Sequence, residues 1–381
     1  MRHLLVIVIL LAVILFGVAA CTNDSELATA TPWLLPTSPP PTPTEVVPTP
    51  VTEDVDAPAE EPTEEPMATP EEIEAPTVEP TVAPAPTPIP LPEGELEHYS
   101  NIGPYLLANP EAGQATHNLL KDGHMRAYMA INPAHWTPAD ALPNMEGYGR
   151  NYMAEEEELS YIRRREQGAR GYYDRFRPTY EQGRGQIHAW MSTWAFEFGS
   201  REFAEDWVAF QREWLRLMHA DGYRAGVGGM KTHLFGPGEI AWLAPAIAEA
   251  DYLFLAESGA PTLAESMGVT TLLYRDLVAE LRNELGEDGV PPLILDVNVD
   301  GQALADIDAP GGPHTERGYR DYGISREDYA ADVRNYDIAT LYDPYVKHVF
   351  WFATNITEDT LSFDVNTPML EIANSWHLPP D

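Results

Sequence analysis

Short apolar runs alternate with amphipathic helical patterns along the chain from about residue 100 to its end. Apolar runs of strand length predict buried strands, and apolar residues recurring at a 3.6-residue period predict helices. Eight strands are predicted, over residues 102–108, 124–131, 146–153, 187–194, 223–230, 251–257, 292–299 and 346–353. Helical patterns separate most of them, at 111–121, 155–180, 202–220, 238–249, 269–284 and 325–341. This order predicts an α/β fold, a (β/α)8 TIM barrel, although a doubly wound sheet would give the same pattern.

The first twenty residues have the pattern of an export signal. An apolar run extends from Leu4 to Ala20, which is too short for a comfortable membrane span. Small residues precede Cys21, and the sequence VAAC resembles the lipobox of bacterial lipoproteins. That resemblance implies cleavage before Cys21, lipid on its thiol, and an extracytoplasmic protein anchored to the cell membrane. An ordinary signal peptide or a short uncleaved anchor is the alternative.

The segment that follows, residues 21–95, consists mainly of Pro, Thr, Ala and Glu and contains no Lys or Arg. Its apolar side chains are too few to offset the entropy lost on ordering, so it is predicted to be a disordered, extended linker. We predict that this linker separates the lipid anchor from a single folded domain at residues 96–381. No other cysteine exists, so the chain forms no intramolecular disulfide.

The acidic balance of the chain restricts its partners. The net charge is -37, of which the linker carries only a part. Nucleic-acid binding depends on neutralising phosphates with Lys and Arg, so an acidic domain argues against such a partner. We predict a monomer without a cofactor.

Carboxylates stand where two of the predicted strands end. Glu197 follows the fourth strand, and Asp296, Asn298 and Asp300 lie near the end of the seventh. Barrel enzymes place their chemistry at the carboxyl ends of the strands, where strands four and seven face each other across the mouth. Two opposed carboxylates are what glycosidic bond cleavage requires, one as proton donor and one ionised. The alternative for Glu197 is a helix-capping role.

Aromatic and polar side chains near the same strand ends are candidates for contacting a sugar. Aromatic rings offer flat apolar faces with polar edges, which suits sugar rings. The candidate substrate contacts are Trp194, Phe198, Glu257, Asn298, Asp300 and Trp351, with Trp190 and Trp376 as further aromatics. For any one of these aromatics, core packing is the alternative interpretation.

The element order resembles the clan of retaining (β/α)8 glycoside hydrolases that includes cellulases and mannanases. The segment PPLILDVNVDG stands where bacterial members carry a Thr-Glu-x-Gly strand end, and residues 328–363 resemble their last helix and strand. The resemblance spans roughly residues 101–376 and implies Glu197 as general acid/base and Asp296 as nucleophile. The substrate class that it implies is a polysaccharide or oligosaccharide.

Three positions depart from the pattern of that clan. Phe196 replaces the asparagine before the acid/base, Asp296 is one methylene shorter than glutamate, and Ala256-Glu257-Ser258 replaces a His or Tyr at the end of strand six. A displacement of over an ångström costs about 10²-fold in a reaction that depends on position. A catalytically inactive barrel that binds glycans as a surface module is therefore the second hypothesis. A metal-dependent hydrolase using His233, Glu257 and Asp296 is the third, and its histidines lack metal-binding spacing.

Overall fold

The computed structural model describes residues 89–92, 98–107, 113–133, 142, 144–194, 198–301, 318–354 and 364–379. All of them belong to one compact unit. The signal peptide, Cys21 and the linker as far as residue 88 lie outside the described residues. In the part of the chain described above, no helix combines the length and apolar character that crossing a bilayer requires.

Eight parallel strands form a closed barrel in the order in which they occur along the chain. The strands are β1 (Ile102–Leu106), β2 (Ala127–Ile131), β3 (Glu146–Arg150), β4 (Ile187–Met191), β5 (Ala225–Lys231), β6 (Tyr252–Gly259), β7 (Leu293–Val299) and β8 (Val346–Thr354). Closure is made by β8, which pairs in parallel with β1 through Ile102↔Val349 and Gly103↔Phe350. The predicted (β/α)8 fold is confirmed, and a doubly wound sheet is excluded because no strand of the ring has a free edge.

Helices cover the outside of this ring. The described helices are α1 (Gly113–Asp122), α2 (Glu155–Ile162), α3 (Arg165–Gln182), α4 (Arg201–Ala220), α5 (Ala244–Ile247), α6 (Tyr274–Leu285), α7 (Arg326–Leu341) and α8 (Thr367–Ser375). Ser200 caps the start of α4, because its side chain accepts a hydrogen bond from the Phe203 N–H. The pattern at 238–249 forms a 3₁₀ turn, Ile240–Leu243, before the short α5.

The predicted helix at 155–180 is wrong, because the structure divides it into α2 and α3. Arg165 has a positive φ of 53° at the break. The rings of Tyr161 and Tyr172 are 5.8 Å apart, whereas eleven residues of continuous helix would separate them by about 16 Å. A Cβ at Gly168 would lie 1.8 Å from the Tyr161 carbonyl oxygen, so this reversal needs glycine there. The charged residues of this segment therefore lie on two packed helices rather than on one solvated face.

Side chains alternate between two apolar layers on either side of the strands. The barrel interior holds Tyr105, Met129, Tyr148, Met191, Phe254, Ile294 and Phe350, among others. The layer between strands and helices holds the neighbours of opposite parity, such as Leu253 and Leu255 on β6 and Leu295 and Val297 on β7. This alternation decides which polar residues near the strand ends can reach the inside of the barrel.

A carboxylate network closes the end of the barrel at which the strands begin. One oxygen of Glu146 on β3 lies 2.6 Å from Lys347 Nζ and 3.2 Å from His348 Nε2, both on β8. The Tyr148 hydroxyl donates to the same oxygen at 2.9 Å. The hydrogen bond from His348 is the main reason that the pKa of Glu146 lies well below its ordinary range. This network joins strands that are not neighbours in the ring and is remote from the mouth.

Residues 89–92, which the linker prediction includes, lie against α7. The Ile89 N–H donates to Asn335 Oδ1 at 3.0 Å, and the Tyr342 hydroxyl donates to the Pro90 carbonyl at 3.0 Å. Tyr342 directly follows α7. These contacts show that the chain meets the domain a few residues before the boundary predicted at residue 96.

Candidate active site

The mouth of the barrel is formed where the strands end, and Asp296 is the carboxyl that β7 directs into it. Ile294 belongs to the barrel interior, while Leu295 and Val297 belong to the outer layer. Asp296 shares the parity of Ile294 and therefore faces inward, and it is partly exposed. A small cavity beside it is lined by Tyr105, Met129, Met191, Trp194, Phe254 and Phe350. The predicted candidate Asp296 thus stands as a polar group on a mostly aromatic and apolar wall.

Trp194, a second predicted site residue, reaches the same cavity from the end of β4. Its ring meets that of Tyr105 edge to face, with centroids 6.3 Å apart. A Cβ at Gly229 would lie 2.8 Å from the Thr193 carbonyl oxygen and 3.1 Å from the Trp194 ring. Gly229 also has a φ of 77°, so both the backbone geometry and the close approach of Trp194 require glycine.

The environment of Asp296 favours its protonated form. One carboxyl oxygen, Oδ1, is buried and has no hydrogen-bond partner among the described residues. Burial raises the pKa of Asp296 from an ordinary 3.8 to about 8, although the positive charge of Arg150 and the Val297 N–H act in the opposite direction. Near neutral pH this carboxyl therefore mostly holds a proton, whereas the predicted nucleophile has to be ionised.

Arg150, which the sequence pattern does not single out, is a buried cation at the end of β3. It ends β3 and is 4% exposed. Its guanidinium carbon lies 4.3 Å from the centre of the Trp194 ring, a cation–π distance. Its carbonyl oxygen accepts a hydrogen bond of 2.7 Å from the Asn132 N–H at the end of β2. Arg150 is therefore fixed at both its backbone and its head group.

Glu158 is a second carboxyl that the sequence pattern does not reveal as part of the site. It belongs to the first turn of α2, where four successive glutamates suggest a solvated helix start. In the structure the Glu158 side chain is not solvated, because Glu158 is only 1% exposed. Burial raises its pKa to about 7, against the opposing effects of Arg150 and the Trp194 N–H. The sequence does contain one indication that Glu158 is buried. It stands four residues before the buried Ile162, and positions four apart lie on the same face of a helix.

Asn298 and Asp300 lie at the end of β7, beside the end of β6. The Ser258 hydroxyl donates to Asn298 Oδ1 at 2.7 Å. The Asp300 N–H donates to the Gly259 carbonyl oxygen at 3.0 Å. Asn298 shares the inward parity of Asp296 and is partly exposed. Ser258 is the residue that orients its amide, although in the sequence it stands out only as a departure from the clan.

Glu257, by contrast, faces away from the mouth. It is 0% exposed, and its carboxylate accepts hydrogen bonds from the Leu272 N–H, the Tyr274 N–H and the Tyr336 hydroxyl. The expected substrate contact at Glu257 therefore requires correction: this carboxyl holds the segment before α6 against α7. Neighbouring strand positions explain it, because Glu257 pairs with the outward Val297, while Ala256 pairs with the inward Asp296.

Two predicted aromatic contacts are also packed inside the protein. Trp351 is 0% exposed and stacks on Trp376 with centroids 6.3 Å apart. Phe198 is buried and stacks on Phe235 at 5.6 Å. Trp190 is likewise buried and meets Tyr180. Core packing accounts for these rings, and among the tryptophans predicted to contact a sugar Trp194 is the one that lines the described cavity.

The remaining predicted residue, Glu197, lies outside the described residues. The metal hypothesis requires Glu257 and Asp296 to bind the same ion. They cannot do so, because their side chains lie on opposite sides of the sheet. Within the described ranges, no three His, Cys, Asp or Glu side chains are grouped in a way that could hold a metal.

Comparisons with known proteins give similarity to solved barrel structures only. No protein-family model matches the chain, and no curated protein matches it. A GH128 (subgroup VI) exo-β-1,3-glucanase from Aureobasidium namibiae is 10% identical, with 73% of this chain and 97% of that chain covered and a TM-score of 0.40. A class V chitinase from Nicotiana tobaccum is 12% identical, with 73% and 98% covered and a TM-score of 0.44. A family 51 α-L-arabinofuranosidase from Bifidobacterium longum is 11% identical, with 68% of each chain covered and a TM-score of 0.40.

Proposed function

We propose that this protein is an exported, lipid-anchored glycoside hydrolase-like barrel that acts on a polysaccharide or oligosaccharide with two carboxylates. The observation that carries the proposal is the position of Asp296, which β7 directs into the aromatic mouth of a closed (β/α)8 barrel. In this proposal Glu197, from the end of β4, is the general acid/base. Asp296 is the nucleophile, and Trp194 offers a ring face to the sugar.

The chemistry requires Asp296 to lose the proton that burial favours. The guanidinium of Arg150 stabilises the resulting carboxylate, since its charge already opposes the rise in the pKa of Asp296. A nucleophile that titrates near pH 8 is only partly ionised at neutral pH. We therefore expect kcat/KM to rise about tenfold from pH 6 to 7, less steeply from pH 7 to 8, and to level off above pH 8. If Asp296 instead donated the proton, kcat/KM would fall above the same pH.

The proposed location follows from the sequence. Cleavage before Cys21 and acylation of its thiol would tether the domain by residues 22–88, and the tethered protein is proposed to be a monomer. More than one acyl chain gives lasting membrane attachment, which a lipoprotein cysteine supplies.

A second function, glycan binding without hydrolysis, is favoured by the same carboxyl. An Asp296 that keeps its proton at neutral pH hydrogen bonds to a sugar hydroxyl rather than attacking the sugar carbon. The replacement of the clan's asparagine by Phe196 removes a further contact of the reaction. The two functions share the mouth and differ only in turnover.

The deciding experiment measures both binding and hydrolysis on a panel of neutral oligosaccharides, from pH 6 to 9. The wild type is compared with Glu197→Gln and Asp296→Asn, which change side-chain volume little, and with the exposed control Asp288→Asn. Hydrolysis by wild type and control, lost in both site variants while binding persists, supports the hydrolase. Equal binding by all four proteins without turnover supports the binding module. Absence of binding to every glycan overturns both.

A further inference from the structure

Tyr152 is an exposed aromatic residue just beyond the end of β3, on the side of the barrel where the mouth lies. It is 51% exposed, whereas Tyr148, four residues earlier, is fully buried in the barrel interior. Tyr152 does not line the cavity beside Asp296. Its ring is therefore open to a ligand that extends beyond that cavity.

The alternation of side chains along β3 continues past the end of the strand and directs Tyr152 toward the mouth. Tyr148 belongs to the barrel interior, and Arg150 places its guanidinium over the ring of Trp194 on the cavity wall. Met153 belongs to the outer layer. Tyr152 thus shares the inward parity of Tyr148 and Arg150, and it is exposed because it stands above the ring of strands. An extended chain advances about 3.3 Å per residue, so Tyr152 lies about 7 Å beyond Arg150.

Asn132, just past the end of β2, fixes the backbone that carries the Tyr152 ring. The Asn132 N–H donates to the Arg150 carbonyl oxygen at 2.7 Å, and the Tyr152 N–H donates to Asn132 Oδ1 at 2.8 Å. Asn132 has a φ of 48°, a left-handed conformation that asparagine tolerates better than most residues other than glycine. Such conformations persist where surrounding contacts determine them, and they are concentrated at binding and catalytic sites. The ends of β2 and β3 are therefore joined at the point where Tyr152 is presented.

The charges next to Tyr152 restrict the kind of sugar chain that it can meet. Glu155 and Glu156 begin α2 three and four residues later, and both are exposed. An anionic polysaccharide would meet like charges there, whereas a neutral sugar chain would not. The face of a tyrosine ring is apolar and packs against the C–H groups of a sugar ring. A neutral oligosaccharide fits both features.

We propose that Tyr152 is an outer sugar-binding residue of the mouth, positioned by Asn132, on which one ring of a neutral oligosaccharide stacks while another ring lies beside Asp296. The inference rests on the proposed function in placing a sugar at Asp296 and Trp194. Covering one face of a tyrosine ring removes on the order of 50 Å² of apolar surface from water, which corresponds to about a tenfold gain in affinity. Longer chains gain this affinity, because the shortest ones fill only the cavity.

The test is the affinity of the full-length protein for neutral oligosaccharides of one to six sugars, measured by isothermal titration calorimetry. Laminari-, cello-, manno- and chito-oligosaccharides are the probes, and hexagalacturonate is the anionic counterpart. Tyr152→Ala should weaken hexasaccharide binding about tenfold and weaken binding of the shortest chain less. Tyr152→Phe and Tyr152→Trp should stay within about threefold of the wild type, because stacking needs the ring and not the hydroxyl. Where the wild type hydrolyses a probe, all variants are compared in the Glu197→Gln background.

Two further sets of variants separate stacking from a structural effect. Tyr342→Ala removes a tyrosine that is 50% exposed between α7 and β8, at the opposite end of the barrel, and should leave every affinity unchanged. Asn132→Gly keeps the left-handed backbone but removes the acceptor of the Tyr152 N–H, so it should reproduce part of the loss for the hexasaccharide. Asn132→Asp keeps an acceptor oxygen and should retain the wild-type affinity. Wild-type affinity in Asn132→Gly, or a loss in Asn132→Asp equal to that in Asn132→Gly, overturns the positioning role.

The remaining outcomes distinguish this inference from the proposed function. Unchanged hexasaccharide affinity in Tyr152→Ala, or an equal loss in Tyr152→Phe, overturns the stacking role and leaves the proposed function standing. An equal loss at every chain length overturns the outer position, and tighter binding of hexagalacturonate than of every neutral hexasaccharide overturns the neutral ligand. If the tenfold loss is found but no probe is hydrolysed, the inference stands and the hydrolase fails. If the wild type binds no probe, both fall.

Discussion

Asp296→Asn should change how the stability of the domain depends on pH. Burial raises the pKa of Asp296 from 3.8 to about 8 in the folded protein. In the unfolded chain this carboxyl ionises near its ordinary pKa. Below about pH 4 it is therefore protonated in both states, and its raised pKa does not lower the free energy of unfolding. As the pH rises from there to about 8, the unfolded state loses the proton and the folded state retains it. The wild type therefore loses stability over this range, and asparagine, which does not titrate, removes the effect.

The magnitude follows from the difference between the two pKa values. Each pKa unit corresponds to about 1.4 kcal/mol, so the shift from 3.8 to about 8 amounts to roughly 6 kcal/mol. Access of water to a partly exposed group reduces this figure, and it stands as an upper bound. Even half of it is large beside a typical domain stability of about 5–15 kcal/mol.

Urea unfolding at intervals from pH 4.5 to 8.5 measures this effect. The free energy of unfolding of Asp296→Asn minus that of the wild type should increase steadily with pH and level off near pH 8. Groups that titrate equally in both proteins, such as Asp332, cancel in the difference. Asp288→Asn, at an exposed position, serves as the matched control and should give a constant difference. A difference for Asp296→Asn that is equally constant would refute the burial argument for this carboxyl.

Three further predictions concern other parts of the chain. Glu257→Gln should lower the free energy of unfolding by about 1–3 kcal/mol, because one of the donors from Leu272, Tyr274 and Tyr336 loses its acceptor. Urea unfolding of this variant and of the exposed control Glu265→Gln tests the prediction. Equal stability of the two variants would contradict it. Glu146→Gln should cost about 1 kcal/mol at pH 7, a figure reduced for the 38% exposure of the Glu146 side chain. Because the pKa of Glu146 is lowered in the folded state, this cost should be present above pH 4.5 and disappear as the pH falls below it; a cost independent of pH would count against the ion pair. Cys21→Ser should release the protein from membranes or block its processing, and normal cleavage with retention in the membrane fraction would exclude the lipobox.

The barrel could be predicted from the sequence because most strands are short apolar runs separated by helix-length chain; β3, with the sequence EGYGR, is an exception. Closure itself rests on the pairing of β8 with β1, a contact between residues almost 250 positions apart, such as Ile102 and Val349. The break between α2 and α3 could not be predicted because the charge pattern continues through it. Its cause is tertiary: Tyr161 packs on Tyr172 only if the chain turns near Arg165.

Two of the errors about the candidate site, those at Glu257 and Trp351, share one physical cause. Glu257 and Trp351 lie near the ends of β6 and β8, but the two-residue alternation of a strand directs them outward. The outward direction of Glu257 could have been read from the sequence. Glu257 lies on the same face of β6 as Leu253 and Leu255, and Phe254 lies on the opposite face. Arg150 and Glu158 could not be inferred in this way, because their roles depend on the three-dimensional meeting of β3, α2 and the end of β4.

The proposed hydrolase requires Glu197 and Asp296 to act on one sugar from the two sides of the barrel mouth. A crystal structure of Glu197→Gln with a bound oligosaccharide from the panel tests this through the distance between the carboxamide of residue 197 and the carboxyl of Asp296. We predict that the anomeric carbon lies beside Asp296 and that the separation is about 5–5.5 Å, or slightly more because aspartate is shorter; a gap of roughly 6.5–9.5 Å would keep the two carboxylates but indicate inversion. A sugar bound away from Asp296, or side chains of residues 197 and 296 facing opposite ends of the barrel, would contradict the proposal.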